Sequence, residues 1–136
     1  MTEITEYTIN LSKTEEEFIL QWGDMGNHWG VNRSVAQIHA LLYLNEYPLN
    51  AEQISQTLGI ARSNVSNSIK ELMNWQLIER TPVAGDRRDH FIAVADVMTM
   101  FRMIVRGRLE REIKPAIVTL DKCANALDED LSLIHI

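Results

Sequence analysis

Cysteine and long apolar runs are scarce in this sequence, and each scarcity excludes a class of protein. Cys123 is the only cysteine among 136 residues, which excludes an intramolecular disulfide and fits a reducing cytoplasm. No stretch approaches the roughly 18 to 20 consecutive apolar residues of a membrane-spanning helix. The first ten residues contain two glutamates and no basic residue, which is unlike a signal peptide. We therefore expect a cytoplasmic protein without membrane contact.

Motifs for catalysis and metal binding are also missing. The sequence contains no glycine-rich phosphate loop, nucleophile elbow or pair of catalytic carboxylates. Asp24 and His28 stand four residues apart, with His39 and His90 elsewhere, but such scattered ligands without a cysteine cluster are a weak metal signal. We expect no enzymatic activity, no metal and no cofactor, with a metal sensor as an alternative.

Positive charge is in deficit overall and concentrated in the middle of the chain. The net charge is −6, with −5 in residues 1–30 and −3 in residues 121–130. Residues 59–91 carry +1 and residues 100–114 carry +3. Nucleic-acid binding needs positive charge only where the protein contacts phosphates. The charge pattern therefore permits DNA binding, and it predicts that non-specific binding is weak and salt-sensitive.

Capping residues and apolar periodicity predict two helices before Pro48. The first begins at Ser12 or Thr14, with Glu15 or Glu17 completing a capping box, and ends at Gly30. Asn32 caps the second helix, which stops before Pro48 because the residue preceding proline is pushed out of the α region. A stripe at helical spacing marks the buried side of the first helix: Phe18, Ile19, Trp22, Met25 and Trp29.

A helix-turn-helix is predicted from residue 50 onward. Asn50 and Gln53 form a reciprocal cap for the third helix, and Gly59 ends it in the left-handed conformation. The fourth helix spans residues 62–74 and buries Val65, Ile69 and Leu72 on one face. Its other surface is short, polar and free of acids, as reading of base edges in a major groove requires. The candidate DNA-binding residues of this helix are Arg62, Ser63, Asn64, Ser66, Asn67 and Lys70. The simpler alternative is a polar, solvated helix face.

A two-stranded hairpin follows the fourth helix. The strands cover residues 77–83 and 90–94, with the turn at Gly85-Asp86. Pro82 fits only an edge strand or a β-bulge, because proline has no N–H to donate to a neighbouring strand. Arg87 and Arg88 are placed at the tip, where they would reach DNA phosphates or a minor groove, and Asp86 or Asp89 could hold one guanidinium by a bidentate pair. The alternative is a solvated hairpin without a partner.

Residues 22–101 resemble the MarR-type winged-helix regulators, most closely their GbsR-like branch. The resemblance is carried by the stretches QWGDMG from Gln21, NRSVAQIHALL from Asn32, ARSNVS from Ala61 and GDRRDHF from Gly85. It implies a dimeric transcriptional regulator, here a repressor, whose fourth helix enters the major groove. GbsR-like members are linked to compatible-solute genes such as those for choline and glycine betaine. Ala61 departs from the usual polar cap, so Ser63 could be needed for capping instead of base reading.

The C-terminal region predicts a dimer interface independently of the resemblance. Residues 97–105 are apolar nearly all round, so this helix needs burial on more than one side. Pro115 is expected to start the last helix. That helix has a heptad seam at Ile113, Ile117, Leu120, Ala124, Leu127 and Leu131. A homodimer would place two reading heads on successive half-sites, whereas a monomer core is the alternative. The apolar end after Leu131 suggests a truncation or an added tail.

The predicted fold is therefore mainly α with a small β-hairpin wing. We expect an N-terminal tail at 1–11, a winged helix-turn-helix at 12–94, dimerisation helices at 95–131 and a tail at 132–136.

Trp22, Trp29 and Tyr43 could bind a quaternary ammonium effector such as choline or betaine by cation–π attraction, although core packing is the simpler interpretation of these aromatics. The rival to an operator-binding regulator is a winged-helix protein-interaction module that never touches DNA.

Overall fold

The computed structural model describes residues 9–134 and contains six α-helices and three β-strands over that range. The elements are α1 Lys13–His28, α2 Arg33–Leu44, β1 Leu49–Asn50, α3 Ala51–Leu58, α4 Arg62–Asn74, β2 Ile78–Val83, β3 Asp86–Ala93, α5 Val97–Arg108 and α6 Lys114–Ile134, with a π-helical turn at Leu109–Ile113. These elements fall into two compact units, one extending to Met100 and one beginning at Phe101.

The helix boundaries follow the predicted caps. Ser12 Oγ accepts from the Glu15 backbone N–H at 3.1 Å, and Glu15 Oε1 accepts from the Ser12 backbone N–H at 2.9 Å, which completes the capping box. Asn32 Oδ1 accepts from the Ser34 N–H at 2.9 Å and starts α2. At Gly59 the backbone φ of +65° provides the left-handed stop after α3, as predicted. Local hydrogen bonding therefore fixes the starts of α1 and α2, and a left-handed glycine fixes the end of α3.

The core of the first unit is built around α2, which is buried from Ser34 to Leu42. Helix α1 packs against α2 at short range, because a Cβ added at Gly26 would lie 2.9 Å from the Ala36 Cβ. Helix α4 packs on the same helix through its buried residues. This close packing gives α4 a rigid base, so its opposite face is held in a fixed position.

The wing belongs to a three-stranded antiparallel sheet of order β1-β3-β2, whereas the sequence predicted two strands. The additional strand β1 pairs Leu49 with Phe91 and Asn50 with His90. Strand β3 begins at Asp86 and not at the predicted residue 90, so Arg87 and Arg88 lie on the first residues of the strand, directly after the turn. The turn itself contains Gly85, whose φ is +81°. The pairing is irregular between Thr81 and Val83, which confirms the predicted disturbance at Pro82.

The second unit is helical. A π-helical turn at Leu109–Ile113 immediately precedes α6, which begins one residue before Pro115. Proline lacks an N–H and its ring crowds the carbonyl four residues earlier, so a wider turn at this point accommodates it. Side chains from Lys114 to Ile134 are all exposed within the single chain, including those of the predicted heptad seam from Ile117 onward.

Within residues 9–134, no helix is both long enough and apolar enough to cross a membrane.

Candidate nucleic-acid interface

Helix α4 has one buried and one exposed face, as predicted. Val65, Ile69 and Leu72 are buried against the core. Four side chains that the sequence assigned to DNA contact are exposed, and we call them the reading face: Ser63, Ser66, Asn67 and Lys70. Glu71 is also exposed, one turn after Asn67, so an acid flanks a surface that was expected to contain none.

The other two predicted residues of α4 have partners within the protein. Asn64 Nδ2 donates to Ser34 Oγ at 2.9 Å, which directs the Asn64 side chain toward α2. The Arg62 guanidinium pairs with the Glu52 carboxylate of α3. Glu52 also accepts a hydrogen bond from Gln56 Nε2 at 3.1 Å. Arg62 and Asn64 therefore brace α4 against α2 and α3 in the free protein.

The start of α4 lacks a side-chain cap. Ala61 occupies the N-cap position with an extended backbone, and no side chain among residues 9–134 accepts a capping hydrogen bond there. Ser63, which the sequence left undecided between capping and base reading, does not cap the helix. Its hydroxyl therefore stays on the reading face.

On the wing, Arg88 and Asp86 form the bidentate pair that the sequence suggested. Arg88 Nε lies 3.0 Å from Asp86 Oδ1, and Nη2 lies 2.7 Å from Oδ2. The guanidinium bonds, reinforced by the Arg88 backbone N–H, hold the pKa of Asp86 far below its ordinary value. Asp86 therefore stays ionised and keeps Arg88 oriented. Arg87 is exposed and makes no ion pair within the described part of the chain.

A cleft of about 360 Å³ lies between the start of α3, helix α4 and the two wing strands. The residues that line it are Asn50, Ala51, Glu52, Arg62, Ser66, Ile69, Lys70, Met73, Arg80, Arg88, Asp89 and Phe91. Sequence reasoning missed Arg80, whose Nε lies 3.6 Å from Asp89 Oδ2. The feature that places Arg80 in the cleft is the hairpin register. It pairs Arg80 with Phe91 and so brings Arg80 close to Asp89 on the facing strand.

The predicted effector residues occupy different environments. Trp22 is buried, and its ring stacks on Phe18 with centroids 5.9 Å apart. Trp29 is half-buried and Tyr43 is exposed. Neither of the two clefts described for residues 9–134 is lined by any of the three predicted residues. A cation–π site for choline or betaine therefore stays a prediction.

The candidate metal ligands are similarly dispersed. Asp24 forms an ion pair with Arg33 Nε at 3.1 Å. His39 is buried and His90 lies on β3, where its Nδ1 donates to the Arg88 carbonyl at 2.8 Å. Within residues 9–134, no group of three or more His, Cys, Asp or Glu side chains is arranged to hold a metal ion.

Comparison with known proteins agrees with this architecture. Residues 29–89 match the sequence profile of the MarR family. The HTH-type transcriptional repressor GbsR of Bacillus subtilis (strain 168) is 21% identical over 112 residues, which cover 76% of this chain and 62% of GbsR. GbsR and two further relatives from the same organism are named as transcriptional regulators or repressors and none as an enzyme, in agreement with the expectation for this chain.

Two solved structures have the same fold at low identity. A protein described as a transcriptional regulator is 22% identical with a TM-score of 0.58, covering 83% of this chain and 78% of its own. A mutant of Staphylococcus aureus MepR, bound to an oligodeoxyribonucleotide, is 18% identical with a TM-score of 0.50, covering 90% of this chain and 94% of its own. At these identities the likeness establishes the winged-helix fold.

Proposed function

We propose that the chain is a sequence-specific DNA-binding transcriptional regulator of the MarR type, on the premise that residues 29–89 match the sequence profile of the MarR family. The observation that carries the proposal is the reading face of α4. Asparagine can pair with adenine, lysine with guanine and serine with either base edge. Serine and asparagine favour a helix interior less than alanine, glutamate or lysine do, so their concentration on one exposed face supports a contact role.

In this proposal α4 lies in the major groove and the wing lies on the adjacent backbone or minor groove. Arg87 is available to a phosphate because no carboxylate of the described chain pairs with it. Arg88 is presented in a fixed orientation by Asp86. Contacts to phosphate fix the register of a protein on the duplex, whereas the reading face supplies sequence discrimination. The two surfaces therefore have separate, testable roles.

We further propose that the chain acts as a homodimer through α5 and α6. The heptad seam of α6 is exposed in the single chain, with Leu120 at 68% and Leu127 at 61% of their full accessible area. A regular apolar seam of this kind is stable when a second helix covers it. Two-fold symmetry would then place two α4 helices on half-sites about one DNA turn apart.

Repression, a cytoplasmic location and a choline- or betaine-like effector complete the proposed function. The name of GbsR as a transcriptional repressor supports repression here. Trp22, Trp29 and Tyr43 are the proposed effector residues. This chain spans about three-fifths of the length of GbsR. The regulatory activity of the whole protein is therefore stated as a proposal.

The central test is the salt dependence of duplex binding. A DNA fragment selected from a random pool by the parent protein would provide the operator and its half-site spacing. The logarithm of the binding constant should then fall linearly with the logarithm of salt concentration. In the Arg87→Ala/Arg88→Ala variant the slope should become shallower by roughly 0.9 for each phosphate that the wing no longer neutralises.

The matched control is Lys114→Ala/Lys122→Ala, which also removes two positive charges but lies on α6, outside the reading face and the wing. Its slope should equal that of the parent. If the parent selects no fragment at low salt, the chain does not read DNA and the protein-interaction alternative becomes the better interpretation. If the slope becomes shallower by the same amount in the control and in the wing variant, the wing has no specific role.

A further inference from the structure

The Glu52 carboxylate connects α3 to the first residue of α4. Its Oε2 pairs with Arg62 Nη1, and its Oε1 accepts a hydrogen bond from Gln56 Nε2 at 3.1 Å. Because each oxygen has a different partner, two contacts fix the plane of the carboxylate. Arg62 is therefore held by a carboxylate whose own orientation is set from within α3.

The ion pair uses only one of the three nitrogens of the Arg62 guanidinium. Nε and Nη2 make no hydrogen bond or ion pair within the part of the chain that the structure describes. The Arg62 side chain is also 55% exposed. Two N–H groups on one edge of a guanidinium match the O6 and N7 acceptors of guanine, which is the commonest specific contact in a major groove. Arg62 is therefore held at one nitrogen, while its other donors are available for a base.

Arg62 lies on the side of α4 that is proposed to face DNA. It is the first residue of α4, and it lines the same cleft as Ser66 and Lys70 of the reading face. The first residues of a recognition helix contact base edges in the major groove. An arginine at this point also has the DNA backbone as a competing partner, since about half or more of all protein–DNA hydrogen bonds go to phosphate or sugar.

Glu52 changes the balance between these two kinds of partner. A phosphate that approaches Arg62 brings a second anion close to the Glu52 carboxylate, so the two negative charges repel each other. A guanine edge is uncharged and meets no such repulsion. A carboxylate fixed beside an arginine therefore disfavours the phosphate contact more than the base contact, and a repulsive element of this kind produces specificity.

We propose that Glu52 is a specificity-determining residue that acts through Arg62, by withholding the guanidinium from phosphates and presenting it to a guanine. This role rests on the proposed function, because it requires α4 to lie in the major groove. Glu52 is a positioning residue, whereas Arg62 makes the base contact. Neutralising Glu52 should therefore reduce discrimination between DNA sequences more than it reduces affinity for DNA.

The first measurement compares Glu52→Gln with the parent on a DNA fragment selected by the parent and on an unrelated duplex. Loss of the carboxylate charge should strengthen binding to the unrelated duplex and steepen its salt slope by up to roughly 0.9, the value for one additional phosphate contact. The ratio of the two affinities should fall at least about fivefold, the lower end of the discrimination by one bidentate base contact. If Glu52 only stabilised α3, both affinities would fall together at a constant ratio, which would overturn the proposal.

Glu16→Gln is the matched control for the loss of charge. Glu16 is also an acid in the first turn of a helix, but that helix is α1. Its affinity ratio and its salt slope on the unrelated duplex should equal those of the parent. An equal fall of the ratio in the control and in Glu52→Gln would show a general effect of net charge and would overturn the role of Glu52.

The second measurement is selection from a random DNA pool by each variant. Arg62→Ala should lose a guanine preference at one position of the selected site, and Glu52→Gln should weaken the preference at that same position and at no other. In the Arg62→Ala background, Glu52→Gln should not lower the affinity ratio further. A guanine preference that survives in Arg62→Ala at every position, or an additive fall of the ratio in the double variant, would contradict action through Arg62.

These outcomes separate the role of Glu52 from the proposed function. A parent that selects a DNA fragment, with an unchanged ratio in Glu52→Gln, leaves the DNA-binding proposal in place and overturns the role of Glu52. A parent that selects no fragment at low salt overturns both.

Discussion

At the scale of single residues, three arginines of the candidate DNA-binding surface are restrained by carboxylates of the same domain. Arg62 pairs with Glu52, Arg80 with Asp89 and Arg88 with Asp86. Ion pairs between exposed side chains stabilise a fold by only about 0–1 kcal/mol. Their larger effect here is on orientation, because a held guanidinium loses less conformational entropy when it binds a phosphate. The same carboxylates reduce the net positive charge, which fits binding that is selective and salt-sensitive.

Ala61 is a position where a single substitution should stabilise the fold. The first turn of α4 has no side-chain cap, so backbone N–H groups there lack an acceptor from that position. Ala61→Ser should raise the free energy of unfolding by about 1 kcal/mol, measured by urea denaturation. Ser12→Ala, which breaks the capping box of α1, should lower it by a similar amount. An unchanged midpoint for Ala61→Ser would mean that the exposed N–H groups are already satisfied by water.

At the scale of elements, most helix boundaries could be predicted because they depend on local chemistry. The predicted span of residues 62–74 coincides with α4, since apolar periodicity and the glycine turn at Gly59 both act within a few residues. Strand β1 could not be predicted in this way. It consists of two residues that become a strand only by pairing with Phe91 and His90, about forty residues later.

The same distinction between local and distant contacts explains which residues of the candidate site could be predicted from the sequence. The exposed side of α4 follows from its helical period, so Ser63, Asn67 and Lys70 could be placed correctly. The partner of Asn64 could not, because Ser34 lies thirty positions earlier and meets it only after α2 packs on α4. The sequence analysis also placed Arg87 and Arg88 in the turn of the hairpin. In the structure the turn is shorter, because β3 already begins at Asp86.

The heptad seam of α6 gives a prediction about assembly. Leu120→Glu/Leu127→Glu places two charges on the seam and should convert the dimer to a monomer, because a buried unpaired carboxylate is costly. Val118→Glu is the matched control, since Val118 is also apolar and exposed but lies on the opposite side of the helix. Sedimentation equilibrium measures the result. A parent that is monomeric at all concentrations, or a control that dissociates equally, would exclude this seam as the interface.

At the scale of the whole molecule, the acidic regions are separated along the sequence from the segment proposed to bind DNA. Residues 1–30 and 121–130 carry −5 and −3, whereas residues 59–91 carry +1. The net charge of −6 opposes general attraction to a polyanion. In the proposed function, DNA affinity then comes from a few short-range contacts by the reading face and the wing. The slope of affinity against salt concentration should then report the number of these contacts, because it scales with the number of phosphates that the protein neutralises.

A buried histidine makes the stability of the molecule depend on pH. His39 is fully buried in α2; its Nε2 donates to the Ala95 carbonyl at 2.9 Å, and its Nδ1 lies 3.2 Å from Met100 Sδ. Burial lowers the pKa of His39 below its ordinary value of 6.5, although the Ala95 carbonyl and the nearby Asp96 act in the opposite direction. The contribution of neutral His39 to stability is therefore complete above pH 6.5.

Below pH 6.5 the unfolded chain binds a proton at this position before the folded chain does, so the free energy of unfolding should decrease as the pH falls toward the lowered pKa. One such group changes stability by at most about 1.4 kcal/mol per pH unit. Urea denaturation of the parent and of His39→Gln between about pH 7.5 and about pH 5, at one protomer concentration, measures the effect. The variant should be less stable at the upper end of that range, and its stability should depend less steeply on pH. Parallel pH profiles would show that His39 has the same proton affinity in both states and would contradict the link between its burial and the acid sensitivity of the fold.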